Sequence, residues 1–129
     1  EFLAGIAYLM RRAEELKIRD QLVVILQSEM GRTPTYNNGN GKDHWSVGSI
    51  MFFGKGIKGN RVIGATDEKQ FQVTVDPQTL GIEKDKGIRV RPEHIHLALR
   101  EFAGIADHEY SKKFPLGVPD TERLKGLWG

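Results

Sequence analysis

Residues 22–45 read LVVILQSEMGRTPTYNNGNGKDHW, an apolar run followed by a long polar segment. Five apolar residues in succession, at positions 22–26, are typical of a strand that is covered on both faces in a parallel sheet. Before them, residues 2–18 place apolar side chains at helical spacing with charged side chains between, which predicts an amphipathic helix. A helix that leads into a central strand indicates an α/β fold with a mostly parallel sheet flanked by helices.

The following residues predict shorter elements. Residues 47–53 and 61–65 read as strands, and the alternating apolar side chains at 71–75 are typical of a short, half-buried strand. Proline, glycine and charged residues dominate positions 76–91, which we expect to form an exposed connection.

A second helix and a tail are expected near the C-terminus. Pro92 stands where a first helical residue is favoured, and the apolar spacing that follows predicts a helix that ends at Gly104. Residues 1–105 therefore read as one α/β segment. Residues 106–129 have no clear period, and we expect a tail that packs on this segment or on a partner.

Composition excludes several classes of protein. The chain carries 19 Lys and Arg against 17 Asp and Glu, a formal net charge of +2, which gives no electrostatic case for a nucleic-acid partner. No window approaches the roughly 18 consecutive apolar residues that a membrane span needs, and these residues contain no export-signal pattern, so we expect any targeting signal to lie upstream. The sequence has no cysteine, so disulfides and thiolate ligands are excluded, and it begins inside a helical pattern, so we expect further sequence upstream.

The polar segment at 28–45 is the best candidate for a functional site. Glu29 follows the predicted parallel strand, and open α/β sheets bind ligands at the carboxyl ends of such strands. Carboxylate and imidazole groups, as in Asp43 and His44, suit zinc, manganese or iron. The structural alternative is that Asp43 caps a turn, His44 packs with Trp45 as a lid, and Glu29 forms an ion pair with Arg32.

A glycine-rich turn offers a second, weaker candidate. Gly54, Gly56 and Gly59 have the spacing of a dinucleotide-binding loop. That mechanism needs a helix directly after the loop, whereas the β-branched run after Asn60 favours a strand. A plain turn between strands is therefore the favoured interpretation.

Two further groups of polar side chains could bind a metal ion. His94 and His96 are two residues apart, so in the predicted helix they point in nearly opposite directions and cannot share an ion. One of them could still line a site that another segment supplies. Asp107 and His108 follow the predicted helix end, where an ordinary solvated turn is the better interpretation.

The motifs LVVIL, SEMGRTP, GKDHW, FGKGIKGNRVIGATD and RPEHIHLAL together resemble a family of exported bacterial proteins. This family is the domain of unknown function 1501, often labelled sulfatase-like and placed in the alkaline phosphatase superfamily. The resemblance covers residues 2–105. It implies the C-terminal part of an alkaline-phosphatase-like sandwich, a mostly parallel sheet flanked by helices with a β-hairpin, whose N-terminal half is missing from this chain.

The resemblance also implies a function outside the cytoplasm, in the periplasm or at the cell surface. The parent would be a metal-dependent phosphate- or sulfate-ester hydrolase, inert without its upstream half, which supplies the nucleophile. Glu29, Asp43 and His44 would bind a divalent metal, with zinc, manganese, iron, magnesium and calcium not distinguished, and Arg32 would contact an anionic ester substrate. The alternative is a non-catalytic exported scaffold or surface-binding protein, which Met30 favours because it replaces a histidine ligand of the superfamily.

Overall fold

The structure, a computed structural model, describes residues 1–128. Over this range the chain forms three α-helices, four short strands and two 3-10 turns. The helices are α1 (Phe2–Glu15), α2 (Pro92–Phe102) and α3 (Glu109–Lys113), the strands are β1 (Val23–Gln27), β2 (Gly31–Arg32), β3 (His44–Trp45) and β4 (Ile50–Gly54), and the 3-10 turns are Arg19–Gln21 and Asp120–Glu122. Both longer helices confirm the helices that the sequence predicts at 2–18 and from Pro92.

The two longer helices end in the same way. After α1, Lys17 adopts a positive φ of 58°, and the Ile18 N–H donates to the Ala13 carbonyl oxygen at 2.9 Å. After α2, Gly104 adopts a φ of 68°, and the Ile105 N–H donates to the Arg100 carbonyl oxygen at 2.9 Å. This is the Schellman arrangement, which satisfies carbonyl groups that would otherwise lack a partner. None of the helices in residues 1–128 has the length and apolar character that crossing a membrane requires.

The sheets are small and antiparallel. β1 pairs with β4, from Val23 opposite Gly54 to Gln27 opposite Ile50, and β2 pairs with β3. The expectation of a mostly parallel, sandwich-like sheet is therefore wrong for the described part of the chain, although its mixture of helices and strands is confirmed. A non-alternating apolar run indicates a strand with little exposure on either face, and such a strand can have an antiparallel partner just as well as a parallel one.

The four strands belong to one long, interrupted hairpin. Three residues separate β1 from β2, whereas four residues, 46–49, separate β3 from β4. The extra residue acts like a β-bulge, which bends a hairpin and increases its twist. At this bend a Cβ atom on Gly31 would overlap the carbonyl oxygen of Val47, so the two backbones approach more closely than any other residue would permit.

Residues 61–65 form no strand, so the strand predicted there is wrong. Asn60 and Gly64 both adopt positive φ angles, of 56° and 76°, which interrupt an extended run. The expectation of an exposed connection at 76–91 is also wrong in part, because Leu80 is buried. The segment turns back on itself through bridges that join Val75 to both Ile82 and Ile88.

The main core lies in the C-terminal part of the chain. Its buried residues come from the connection, from α2 and from the last residues, namely Leu80, Ala98, Leu124 and Leu127. Trp128 donates from its indole N–H to the Ala98 carbonyl oxygen at 3.0 Å, and its ring packs against Phe52 and Phe102 at centroid distances of 5.8 and 4.6 Å. The final segment therefore connects α2 to the β1–β4 sheet.

A buried histidine joins α2 to the 3-10 turn Asp120–Glu122. His94 is only 1% exposed, and its Nδ1 accepts the Arg91 N–H at 2.9 Å. Its Nε2 lies 3.0 Å from the Glu122 carboxylate. With Nδ1 acting as acceptor, the proton is on Nε2 and donates to Glu122. Both ring nitrogens are used within the fold, which assigns His94 a structural role.

Candidate functional site

Strands β2 and β3 place two of the predicted site residues directly opposite each other. Arg32 pairs with His44 in the antiparallel register, and both side chains are exposed. Residues directly opposite in such a pair have Cβ atoms about 5 Å apart on one face. The Arg32 guanidinium is held from the other side of the loop, because Nη1 donates to the Lys42 carbonyl oxygen at 3.0 Å. A cation and an imidazole therefore share one face of the hairpin.

The tip of the hairpin is organised by a single asparagine. The Asn37 Oδ1 accepts the backbone N–H groups of Gly39 and Gly41, each at 3.0 Å. The Asn37 backbone N–H donates to the Gly41 carbonyl oxygen at 2.8 Å, and the Asn40 N–H donates to the Asn37 carbonyl oxygen at 3.0 Å. Asn40 has a positive φ of 58°, which asparagine tolerates better than most residues. The loop is thus folded by its own hydrogen bonds.

Asp43 is fixed by the same asparagine. Its Oδ1 accepts from the Asn37 amide at 2.7 Å, and its backbone N–H donates to the Thr33 hydroxyl oxygen at 3.1 Å. The Asp43 carbonyl oxygen accepts the Thr33 N–H at 3.0 Å. These contacts agree with the structural alternative in which Asp43 stabilises a turn. One carboxylate oxygen still remains available for a further cation, since Oδ1 alone makes the bond to Asn37.

Trp45 anchors the hairpin to the segment that follows β4. Its indole N–H donates to the Gln70 carbonyl oxygen at 2.9 Å, and its ring lies 5.2 Å from that of Phe71. Gln70 belongs to a tight turn in which the Asp67 carboxylate accepts the N–H groups of Lys69 and Phe71, both at 2.9 Å. Trp45 therefore packs as the structural alternative expects, whereas His44 remains exposed.

Glu29 lies apart from the other predicted ligands, in the exposed connection between β1 and β2. The argument from the carboxyl ends of parallel strands does not apply to it, because β1 and β4 are antiparallel. Over residues 1–128, Glu29 and Arg32 form no ion pair, and no group of three histidine, aspartate or glutamate side chains lies close enough to hold a metal ion. The assignment of Glu29, Asp43 and His44 as ligands stays a prediction.

The glycine-rich turn has a structural explanation. Gly54 and Gly56 adopt positive φ angles of 124° and 73°, and a Cβ atom on Gly56 would approach the Phe102 ring to 2.7 Å. The chain has no helix between Gly59 and the start of α2 at Pro92. A dinucleotide-binding loop needs such a helix, so this alternative is rejected.

The other histidines do not form a metal pair. His94 is buried and His96 is exposed, as expected for residues two apart on a helix. His108 caps α3, since its Nδ1 accepts the Tyr110 N–H at 3.3 Å. Asp107 lies 3.7 Å from the Lys112 ammonium across the same turn.

Asn37 is the residue of this site that the sequence did not identify. The repeated Asn and Gly of YNNGNGK indicate a turn, but which asparagine accepts the loop's N–H groups depends on φ angles that sequence patterns leave open. The bond from Asn37 to Asp43 spans six residues and forms only when the hairpin closes.

The fold and the hairpin loop place this chain only in the broad class of mixed α/β proteins. The family described as "Protein of unknown function (DUF1501)" matches residues 2–81, which include α1, all four strands and the candidate site. The chain belongs to this family, as predicted, although the match ends at residue 81 and does not include the RPEHIHLAL motif at 91–99. The comparisons with curated proteins and with solved structures found no match.

Proposed function

We propose that this chain is part of a metal-dependent phosphate- or sulfate-ester hydrolase of the alkaline phosphatase superfamily, and that the parent acts outside the cytoplasm. The observation that carries the proposal is the pairing of Arg32 with His44 on one face of the hairpin, where Asp43 directly precedes His44 in the sequence. A guanidinium suits the oxygens of an anionic ester, and imidazole and carboxylate groups are donor types that suit a divalent metal.

The donor types fit a metal ion, but their number does not suffice. A metal site usually takes at least three protein ligands, and the described residues bring no three of the right type together. We therefore propose that an upstream part of the polypeptide supplies the remaining ligands and the nucleophile. A bound divalent metal would neutralise charge on the ester and lower the pKa of a hydroxyl or water.

The amount of exposed surface supports an upstream part of this kind. A folded monomer of 14.5 kDa exposes about 6,900 Å², whereas this chain exposes 9783 Å². The excess of roughly 2,900 Å² is more than the 800 Å² or so that one partner contributes to an ordinary protein complex. Such an excess favours continuous packing within a larger fold over the docking of a separate protein.

Part of the exposed apolar surface lies on α1 and the β1–β4 sheet. Large apolar side chains are exposed along one side of α1 and on both strands, namely Phe2, Leu9, Leu16, Ile25 and Met51. β1 and β4 pair only with each other in the described part of the chain, so both outer edges are open. A two-stranded sheet is marginally stable in water by itself. We propose that upstream strands and helices cover these surfaces.

Within the site, each residue of this chain has a distinct role. Arg32, fixed by the Lys42 carbonyl oxygen, binds an ester oxygen. His44 offers a ring nitrogen to the metal, and Asp43 offers the carboxylate oxygen that Asn37 does not use. Because the Asn37 network forms before any ligand binds, little entropy is lost when the site is assembled.

The test is turnover of aryl phosphate and aryl sulfate esters by the full-length protein. His44→Ala is expected to abolish turnover, and Arg32→Lys to raise KM because a fork of two donors becomes a single point charge. His96→Ala, an exposed histidine on α2, is the matched control and should leave turnover unchanged. Turnover that persists in His44→Ala would reject the assigned role.

The alternative is a non-catalytic exported scaffold or surface-binding protein that keeps the fold. Met30 favours it, because this partly exposed thioether stands beside Glu29 where the superfamily carries a histidine ligand. The absence of turnover by the wild-type protein with every divalent metal tested, together with normal folding, would support the scaffold.

A further inference from the structure

The loop that holds the candidate site contains both Asn–Gly pairs of the sequence. These are Asn38 with Gly39 and Asn40 with Gly41, and all four residues are exposed. Asn–Gly pairs are chemically labile in principle, because glycine has no side chain to hinder the approach of its backbone nitrogen to the asparagine amide. Two such pairs side by side would make this loop the most easily modified part of the chain.

The reaction in question is deamidation. The backbone nitrogen of the glycine loses its proton and attacks Cγ of the preceding asparagine, so that a new C–N bond forms and the side-chain amide leaves as ammonia. Water then opens the cyclic imide at either carbonyl and gives aspartate or isoaspartate. Each event replaces a neutral amide with a carboxylate, and the isoaspartate product also lengthens the backbone.

Both backbone nitrogens that would attack are hydrogen-bonded in the structure. The N–H groups of Gly39 and Gly41 donate to the same acceptor, the Asn37 Oδ1, each at 3.0 Å. A nitrogen whose proton is held in a hydrogen bond is harder to deprotonate, and it must break that bond before it can turn toward the asparagine side chain. The Asn37 backbone also bonds to Gly41 and Asn40, so the second pair is held by backbone hydrogen bonds as well.

We propose that Asn38 and Asn40 are latent deamidation sites and that the Asn37 side chain protects both of them. Loss of this protection would add up to two negative charges to the loop that carries Arg32 and Asp43. Deamidation would then change the electrostatics of the hairpin whether or not it binds a metal, so the inference does not depend on the proposed function.

The experiment compares the full-length wild-type protein with Asn37→Ala during incubation in mildly alkaline buffer. Trypsin cleaves after Arg32 and Lys42, so one peptide, residues 33–42, reports on both pairs by its mass and by enzymatic detection of isoaspartate. Asn60, which precedes Arg61, is the internal control. We expect Asn37→Ala to deamidate roughly tenfold faster, since loss of one ordinary hydrogen bond changes a population by about that factor.

A matched variant exchanges the two interacting side chains. Asn37→Asp combined with Asp43→Asn keeps an oxygen acceptor for both glycine N–H groups and restores the bond between positions 37 and 43 with its donor reversed. This variant should deamidate as slowly as the wild type. In concentrated urea all variants should react at the same fast rate, because the protection belongs to the folded loop.

Three outcomes of the rate measurements would overturn the proposal. They are equal rates for native wild type and Asn37→Ala, a rate for native wild type as fast as that in urea, and a fast rate for the exchanged pair. If Asn37→Ala does not fold, the deamidation rates of native and unfolded wild-type protein still test the proposal. Hydrogen exchange of the Gly39 and Gly41 amides provides a second test. Rapid exchange of those two amides in the native protein would also contradict it.

Discussion

The N-terminal and C-terminal regions of this chain are built in opposite ways. Seven residues are buried over the described range, and six of them lie between Val75 and Leu127, whereas Ala13 alone lies in the first 54 residues. The C-terminal region stabilises itself by packing α2 against the last segment. The N-terminal region instead has exposed apolar faces and a loop that is ordered by hydrogen bonds.

This difference shows where the candidate site obtains its order. The hairpin loop is held by the short-range hydrogen bonds of Asn37 and by the bond from Trp45 to Gln70, which lies 25 positions further along the chain. The β1–β4 sheet beneath it has little apolar cover of its own. A site can therefore be arranged in detail on a part of the fold that buries few apolar side chains.

The largest effect is expected in the C-terminal core. Leu124→Ala should reduce the free energy of unfolding by about 2–5 kcal/mol, because it removes a buried side chain and leaves a cavity. Denaturant unfolding of the full-length protein measures this loss. A change of less than about 1 kcal/mol would show that the C-terminal segment does not form a core with α2.

A smaller effect is expected on the apolar face of α1. Leu9 is 42% exposed here, yet Leu9→Ala should cost about 2 kcal/mol in the full-length protein if upstream sequence covers this face. Glu15→Ala, on the charged face of the same helix, is the control and should change stability by less than about 0.5 kcal/mol. If both substitutions have equal and negligible effects, the apolar face of α1 is exposed to solvent in the full-length protein.

The bend in the hairpin provides a third test. Gly31→Ala should cost about 1–3 kcal/mol, since the added Cβ atom overlaps the Val47 carbonyl oxygen and forces the strands apart. Gly48→Ala is the matched control, because its Cβ atom would lie 3.7 Å from the nearest atom, the Gly31 nitrogen. Thermal unfolding of the two variants would contradict the structure if Gly48→Ala were the more damaging.

The smallest effect concerns pH. The N–H groups of Thr79 and Gln78 lower the pKa of Asp76 below its ordinary value of 3.8, because they stabilise the carboxylate. Its contribution to stability is therefore complete above that ordinary value and is lost as the pH falls through the lowered one. The free energy of unfolding of Asp76→Asn should therefore fall slightly less on acidification than that of the wild type. The measurement is the urea midpoint of unfolding across the acid range. If the midpoints of Asp76→Asn match those of the wild type throughout, the Asp76 carboxylate does not contribute to stability.

Much of the fold could be predicted, because local patterns determine it. Apolar spacing located α1 and α2, Gly104 marked a helix end, and the run at 22–26 identified β1. The antiparallel direction of β4 relative to β1 could not be predicted. It depends on residues 28–49 forming a hairpin between the two strands, and the strands within that hairpin, β2 and β3, are only two residues long. Burial at Leu80 was missed because it results from contacts with distant residues.

The candidate site could be predicted in composition but not in arrangement. The charged residues among glycines at 28–45 were visible in the sequence, and the structure places Arg32 and His44 side by side. The separation of Glu29 from them follows from the hairpin register. Asn37 accepts the Gly39 and Gly41 N–H groups only in the closed loop, so a pattern of residue types along the sequence does not reveal this role.

The most direct test of the proposed site is the metal content of the full-length protein, measured by elemental mass spectrometry beside its His44→Ala and His96→Ala variants. We predict near-stoichiometric divalent metal in the wild type and in His96→Ala, and its loss in His44→Ala. Metal retained by His44→Ala, or negligible metal in the wild type even after equilibration with zinc, manganese, iron, magnesium and calcium, would contradict a metal site on this hairpin.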